Sequence, residues 1–173
     1  MVRVGILTIS DRSSWGERDD LSGPAIREAL QQAWGDELEV CRYEIVPDER
    51  TIVQATLQAW ADDLSCDLIL TTGGTGLAPR DVTPEATQAV IRKEIPGIAE
   101  AIRAAAIAQT PHGMLSRALA GVRDRTLIVN LPGSPRAVRE ALAVILPALP
   151  HAIDLLHGRS TDDHSVRGPG QSR

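Results

Sequence analysis

The sequence predicts an α/β domain whose mostly parallel sheet is covered by helices on both faces. The prediction rests on alternation, burial pattern and one loop. Short apolar runs rich in β-branched residues alternate with segments whose apolar residues recur at helical spacing, along nearly the whole chain. The first run, Val-Arg-Val-Gly-Ile-Leu-Thr-Ile-Ser at 2–10, is almost continuously apolar after Arg3, as a strand buried on both faces requires. Leu68-Ile69-Leu70 then opens into the glycine-rich stretch at 71–76, Thr-Thr-Gly-Gly-Thr-Gly, which leads to a helix start at Thr83-Pro84-Glu85.

The first strand ends at Ser10-Asp11-Arg12, and a polar loop runs through Asp20. Ser22 caps the next helix, with Pro24 near its start and Ile26, Leu30 and Ala33 on its apolar face. Residues 38–46 alternate loosely and read as a second strand. Pro47-Asp48-Glu49 stops that strand and caps a helix with Val53, Leu57, Trp60 and Leu64 on one face. Residues 67–72 form the third strand, and 84–94 a helix with Thr83 as its hydroxyl cap. Pro96 restarts the chain into an alanine-rich helix over 98–108. Beyond the loop at 110–113, extended runs at 118–122 and 126–131 form either a hairpin or a short strand beside a central one. Pro132-Gly133-Ser134-Pro135 again pairs a strand end with a cap; its helix runs to about Leu146, and a last helix from Pro147 or Pro150 ends near Gly158. Residues 1–158 form one domain; 159–173, polar and without apolar periodicity, read as a disordered tail.

The chain has no Phe, one Tyr and three Trp, so its core must be built from Leu, Ile, Val and Ala. A net charge of −5 without a basic run argues against a nucleic-acid partner. No apolar stretch approaches the ~20 residues that span a bilayer, and the N-terminus has no signal-peptide layout, so no membrane association is expected. Cys41 and Cys66 make neither a CxxC nor a metal-ligand spacing. They read as reduced thiols of a cytoplasmic protein, with a disulfide between them as the alternative.

Gly73, Gly74 and Gly76 let the loop take positive φ and turn backbone N–H groups toward an anion; the plain alternative is a structural turn. It is neither a Walker loop, since Lys93 is the only lysine and lies beyond it, nor a dinucleotide fingerprint. Residues 10–12, Asp48, the glycine loop and 130–134 each follow a strand, so they gather at the carboxyl edge, where open α/β sheets bind ligands. Asp48 and Asp81 with substrate phosphates suit Mg²⁺, which prefers few protein oxygens. Each aspartate has a helix cap as its plain role, more so Asp48, because Thr83 already offers a cap beside Asp81. Arg12, Arg80, Arg117 and Arg136 are either phosphate contacts or surface arginines. Ser116 and Ser134 have no base at a telling spacing, which argues against a Ser-His-Asp hydrolase, and the four histidines are scattered. Trp15 either covers a flat ring, contacts a partner or packs on its loop; Trp60 belongs to the core.

Ser-Asp-Arg (10–12), Pro-Asp-Glu (47–49), Thr-Gly-Gly-Thr-Gly (72–76), Pro-Arg-Asp-Val-Thr-Pro-Glu-Ala-Thr (79–87), Leu-Ser-Arg (115–117) and Asn-Leu-Pro-Gly-Ser-Pro (130–135) occur in that order. Together they closely resemble the molybdopterin adenylyltransferases, the MogA type and the gephyrin G domain, over residues 2–158. The resemblance implies a three-layer α/β/α, molybdopterin-binding-domain-like fold, usually a homotrimer. It also implies transfer of AMP from Mg²⁺-bound ATP to the terminal phosphate of molybdopterin, release of pyrophosphate, and hand-off of the product to a molybdate-inserting enzyme. Asp48 and Asp81 correspond to the catalytic, metal-holding aspartates. Ser10, Asp11, Arg12, Thr72, Gly73, Gly74, Thr75, Gly76, Arg80, Thr83, Ser116, Arg117, Asn130, Pro132, Gly133 and Ser134 correspond to substrate-binding segments. No histidine base is needed, because the attacking phosphate is already anionic. The alternative is a non-catalytic molybdopterin-binding protein of the MoaB type, which shares the glycine loop; the presence of both aspartates favours the enzyme.

Overall fold

The computed structural model describes residues 1–159. Strands β1 (Val2–Ile9), β2 (Leu38–Val46), β3 (Leu68–Thr72), β4 (Lys93–Glu94), β5 (Ala120–Arg123) and β6 (Thr126–Leu131) form one sheet in the order β2-β1-β3-β6-β5-β4. The four strands β2, β1, β3 and β6 are mutually parallel; β5 runs antiparallel to β6 and β4 antiparallel to β5. Both expectations for the extended runs at 118–122 and 126–131 therefore hold at once: they are a hairpin, and β5 lies beside the central strand β6.

The helices are α1 (Asp11–Ser14), α2 (Ser22–Trp34), α3 (Arg50–Asp62), α4 (Thr83–Val90), α5 (Pro96–Gln109), α6 (Pro135–Ile145) and α7 (Leu149–Leu156). Alternation along the strands sorts the apolar side chains into two cores. Val4, Ile6, Leu68, Leu70, Leu127 and Val129 point toward α2, α5, α6 and α7. Leu7, Ile9, Ile69 and Ile128 point the other way, toward Val53, Leu57 and Trp60 of α3 and Val90 of α4. Three layers result. Each fully buried Leu or Ile contributes about 1.5–3 kcal/mol, and these aliphatic positions supply the core in the absence of Phe.

The connections place the site. From β1 the chain crosses through α2 on one face to β2 at the edge, then returns through α3 on the other face to β3, on the far side of β1. The strand order reverses between β1 and β3, so the loops after them diverge and leave a crevice at their carboxyl ends.

Several local expectations change. Ser22 is the first residue of α2 rather than its cap; Leu21 is the N-cap, and Asp20 before it accepts the N–H groups of Ser22 and Gly23 through Oδ1. The helix after the glycine loop ends at Val90, because Lys93-Glu94 leaves it to pair with β5. The polar loop after β1 contains the short helix α1, capped by Ser10. Arg159, expected to begin the tail, is still tied to Asp154 by backbone and side chain. The rest of the expected tail, residues 160–173, lies outside the described residues.

Candidate active site

The loops after β1, β2, β3 and β6 meet at the carboxyl edge of the sheet. The first two are joined by a reciprocal pair of hydrogen bonds: the Asp11 N–H donates to Asp48 Oδ2 (2.8 Å) and the Asp48 N–H donates to Asp11 Oδ1 (3.0 Å). Asp48 is therefore not the cap of α3, whose N-cap is Glu49 without a side-chain bond. Nor is Thr83 the cap of α4. It is the helix's first residue, fully buried, and its hydroxyl donates to the Gly73 carbonyl (2.9 Å), folding the glycine loop back onto its own helix.

Two glycines are dictated by contact. Gly73 (φ +94°) lies against the Ile9 carbonyl, and Gly74 (φ +65°) is packed between the Thr83 hydroxyl and Asp48 Oδ1; a Cβ on either would collide. At Gly76 a Cβ would lie 2.8 Å from Asp81 Oδ2, the oxygen that accepts the Ala78 N–H (3.0 Å). The two candidate aspartates thus stand on either flank of the glycine loop, Asp48 at Gly74 and Asp81 at Gly76.

The arginines are engaged. Arg80 donates to both Asp11 oxygens (2.5 and 3.0 Å) and to Glu49 (2.9 Å), joining three of the loops. Arg117 clamps the glycine loop from below: its N–H donates to the Thr75 carbonyl, its Nε to the Gly76 carbonyl (2.8 Å) and its Nη2 to the Asp81 carbonyl (2.9 Å), while Nη1 pairs with Glu85. Arg12 is exposed on the rim, and Arg136 pairs with Glu140 on the surface of α6.

Other residues frame the site from within. Thr72, 1 % exposed, donates to the Pro132 carbonyl (2.6 Å), and Gly133 packs on Gly73, its carbonyl accepting the Ser22 hydroxyl (2.8 Å). Ser134 caps α6 as expected, accepting the Ala137 N–H. Asn130 is buried behind the loop. Its amide donates to the Thr71 and Thr87 hydroxyls (3.0 and 2.9 Å), and its Oδ1 accepts the Leu119 N–H. Ser116 accepts the Ala118 N–H through its hydroxyl.

Electrostatics distinguish the carboxylates. The Arg80 guanidinium, its principal partner, holds the Asp11 carboxyl below the usual range. Asp48 moves the opposite way. Burial raises its carboxyl, the Asp11 N–H offsets this in part, and the charges of Asp11 and Asp81 raise it further. Asp20, absent from the sequence-based candidates, anchors the loop that carries Asp11: its Oδ2 accepts the hydroxyls of Thr8 (2.7 Å) and Tyr43, and although burial raises its carboxyl, these bonds and those from the Ser22 and Gly23 N–H groups together hold it low. Its place two residues before Ser22-Gly23-Pro24 was the available signal.

Two recesses open beside the loop. One, of about 300 Å³, is lined mainly by apolar groups, with Ile102, Ala106, Leu115, Pro132 and Ala137 facing Thr75 and Gly76. The other, of about 50 Å³, is polar and lies over the β1–β3 crevice, lined by Thr8, Ser10, Ser22, Thr72, Gly73 and Gly133. Sequence patterning did not reveal the apolar one, since Ile102 and Ala106 read simply as helix positions.

Residues 5–151 match the family described as a probable molybdopterin binding domain. The chain belongs to this molybdopterin-binding family. It is 46% identical over 157 residues to the molybdopterin adenylyltransferase of Helicobacter pylori J99, covering 91% of this chain and 89% of that protein. It is 47% identical over 163 residues to the gephyrin of Dictyostelium discoideum, covering 90% of this chain and 23% of that longer protein. The crystal structure of the molybdopterin biosynthesis enzyme MoaB from Thermus thermophilus superposes with a TM-score of 0.85 at 54% identity, covering 92% of this chain and 98% of the other. The similarity to that structure agrees with the three-layer arrangement of strands and helices.

Proposed function

We propose that this chain is a molybdopterin adenylyltransferase, acting in molybdenum cofactor biosynthesis through the domain at residues 1–158. The observation that carries the proposal is the placement of Asp48 and Asp81 on the two flanks of the glycine loop. The names of similar proteins support the substrate, and the apolar recess of about 300 Å³ beside that loop gives a ring system a place.

The reaction joins a terminal phosphate oxygen of molybdopterin to the α-phosphorus of ATP. The bond from that phosphorus to the β-bridging oxygen breaks, and pyrophosphate leaves with the electron pair. The loop amides at 74–76, beside the N-terminus of α4, offer donors to the charge that develops on the α-phosphate oxygens. Holding both substrates in line is the larger part of the task, and the Arg117 clamp on the loop carbonyls keeps that cradle rigid. The apolar recess shields one ring system from water.

Among the described residues no group of three or more His, Cys, Asp or Glu side chains is set to hold a metal ion. A site of two carboxylates completed by substrate oxygens fits Mg²⁺ nevertheless, because Asp48 is crowded by like charges. Asp48 and Asp81 would hold the ion, which supplies neutralisation of phosphate charge. The same reading carries with it ATP as co-substrate, a homotrimer, a cytoplasmic location and delivery of the product to a molybdate-inserting enzyme. Among the described residues no helix is long and apolar enough to cross a membrane.

The family match, described by binding alone, supports a second reading, a non-catalytic molybdopterin-binding protein. Incubating the protein with molybdopterin and ATP, with and without Mg²⁺, separates the two. Metal-dependent pyrophosphate and adenylylated pterin are expected. Tight pterin binding without either product selects the binding protein, and no pterin binding overturns both.

A further inference from the structure

The Cys41 and Cys66 sulfurs lie 3.1 Å apart, Cys41 in the edge strand β2 and Cys66 in the turn just before β3, the strand on the other side of β1. The contact is built by a β-bulge. Val4 faces Val40 and Gly5 faces Arg42, so Cys41 is the extra residue of the edge strand β2, and a bulge re-aims the side chain of such a residue. Opposite it, Gly5 has no side chain. A Cβ there would overlap the Trp60 ring and lie 3.5 Å from the Cys66 sulfur. The glycine thus leaves room for the Trp60 ring beside the Cys66 sulfur.

We propose that Cys41 and Cys66 are a redox modification site, a dithiol that hydrogen peroxide converts into a reversible intramolecular disulfide. Disulfide sulfurs lie about 2.05 Å apart, so closure asks the two sulfurs to approach by about 1 Å. Exposure divides the roles. Cys41 is partly exposed and meets the oxidant; Cys66, 2 % exposed, is the resolving thiol. Burial, reinforced by the neighbouring Cys41, pushes the Cys66 thiol up to about 12, which keeps it from reacting first.

The Cys41 thiolate attacks one peroxide oxygen, the O–O bond breaks, and the hydroxide released becomes water with a proton from solvent. The resulting sulfenic acid is attacked at sulfur by Cys66, whose proton goes to the departing hydroxide as a second water. Two thiols and one peroxide thus yield one disulfide and two waters, the two electrons passing from sulfur to oxygen. The crosslink ties the edge strand β2 to the foot of β3, around a loop that contains α3. The site is at the opposite end of β3 from the glycine loop, so it stands independently of the adenylyltransferase reading.

The test treats the reduced full chain with equimolar hydrogen peroxide, then applies intact mass, thiol titration in denaturant and a non-reducing peptide map. The expected product is a monomer lighter by about 2 Da, with both thiols lost together and recovered by dithiothreitol, and with the peptides of Cys41 and Cys66 joined. Its Tm should exceed that of the reduced form by about 5–10 °C. In Cys41→Ser, Cys66 should stay a free thiol in the folded protein. Sulfinic or sulfonic acid at Cys41 with Cys66 still free, disulfide-linked dimers, or no reaction would each overturn the proposal. The peptide map of the unaltered chain decides even if the variant does not fold.

Discussion

Asp11 and Asp48 each donate a backbone N–H to the other's carboxylate, at 2.8 and 3.0 Å, and so lock the loop after β1 to the loop after β2. Neither bond involves neighbours in sequence. Together they fix where the Asp48 carboxylate stands relative to Gly74 and make Asp11 a positioning residue for it.

Replacing Asp11 by Ala removes one bond of the pair outright and releases Arg80 from its main partner. Turnover is expected to fall about 100-fold through misplacement of Asp48. Asp11→Asn keeps an acceptor for the Asp48 N–H and should retain more activity. Steady-state kinetics of the two variants check this; full activity in Asp11→Ala would remove the pair from the mechanism.

Asp48, placed at the metal in the proposed reaction, also bears on stability. Burial first, then the charges of Asp11 and Asp81, raise its carboxyl above the unfolded value. The folded state therefore holds the proton to higher pH, and stability is lost as pH rises through the folded value. Below the unfolded pKa of about 3.9 both states are protonated and the penalty is absent. Asp48→Asn should accordingly abolish turnover yet raise Tm by about 2–4 °C at neutral pH, a gain that fades toward about pH 4. Thermal melts across that range decide it, and a lower Tm at neutral pH would contradict the crowding.

Asp81→Asn changes charge with little change in shape. The oxygen that accepts the Ala78 N–H can be supplied by the amide, so the loop should persist. We expect kcat to fall about 10²–10³-fold, molybdopterin binding to survive, and Tm to move by no more than about 2 °C. Unchanged turnover would exclude Asp81 from catalysis.

Asn130 should matter to the fold first. Replacing it with Leu leaves the Leu119 N–H without its side-chain acceptor and the Thr71 and Thr87 hydroxyls without their shared donor. A loss of about 2–4 kcal/mol in denaturant unfolding is expected. A change below about 0.5 kcal/mol would show that the buried network does not hold the loop.

The sequence by itself determined the strand–helix alternation, the parallel core strands and the gathering of four loops at one sheet edge, because apolar periodicity and glycine–proline punctuation are local signals. Within those loops it also marked Asp48 and Asp81 as the carboxylates beside a glycine cradle. Partners were another matter. The attachment of Arg80 to Asp11 and Glu49, the Arg117 clamp, the Thr83 bond to Gly73 and the bonds of buried Asn130 to β3 and α4 all join residues from separate segments of the chain. Only the crossovers of α2 and α3 on opposite faces of the sheet bring the separate loops together. The same holds for Cys41 and Cys66, isolated in sequence and brought into contact by a bulge beside a glycine. A side chain's identity states what it can bond. Only the tertiary structure decided which groups stand within reach, because hydrogen bonds and ion pairs act over a few ångströms while the residues that form them lie tens of positions apart.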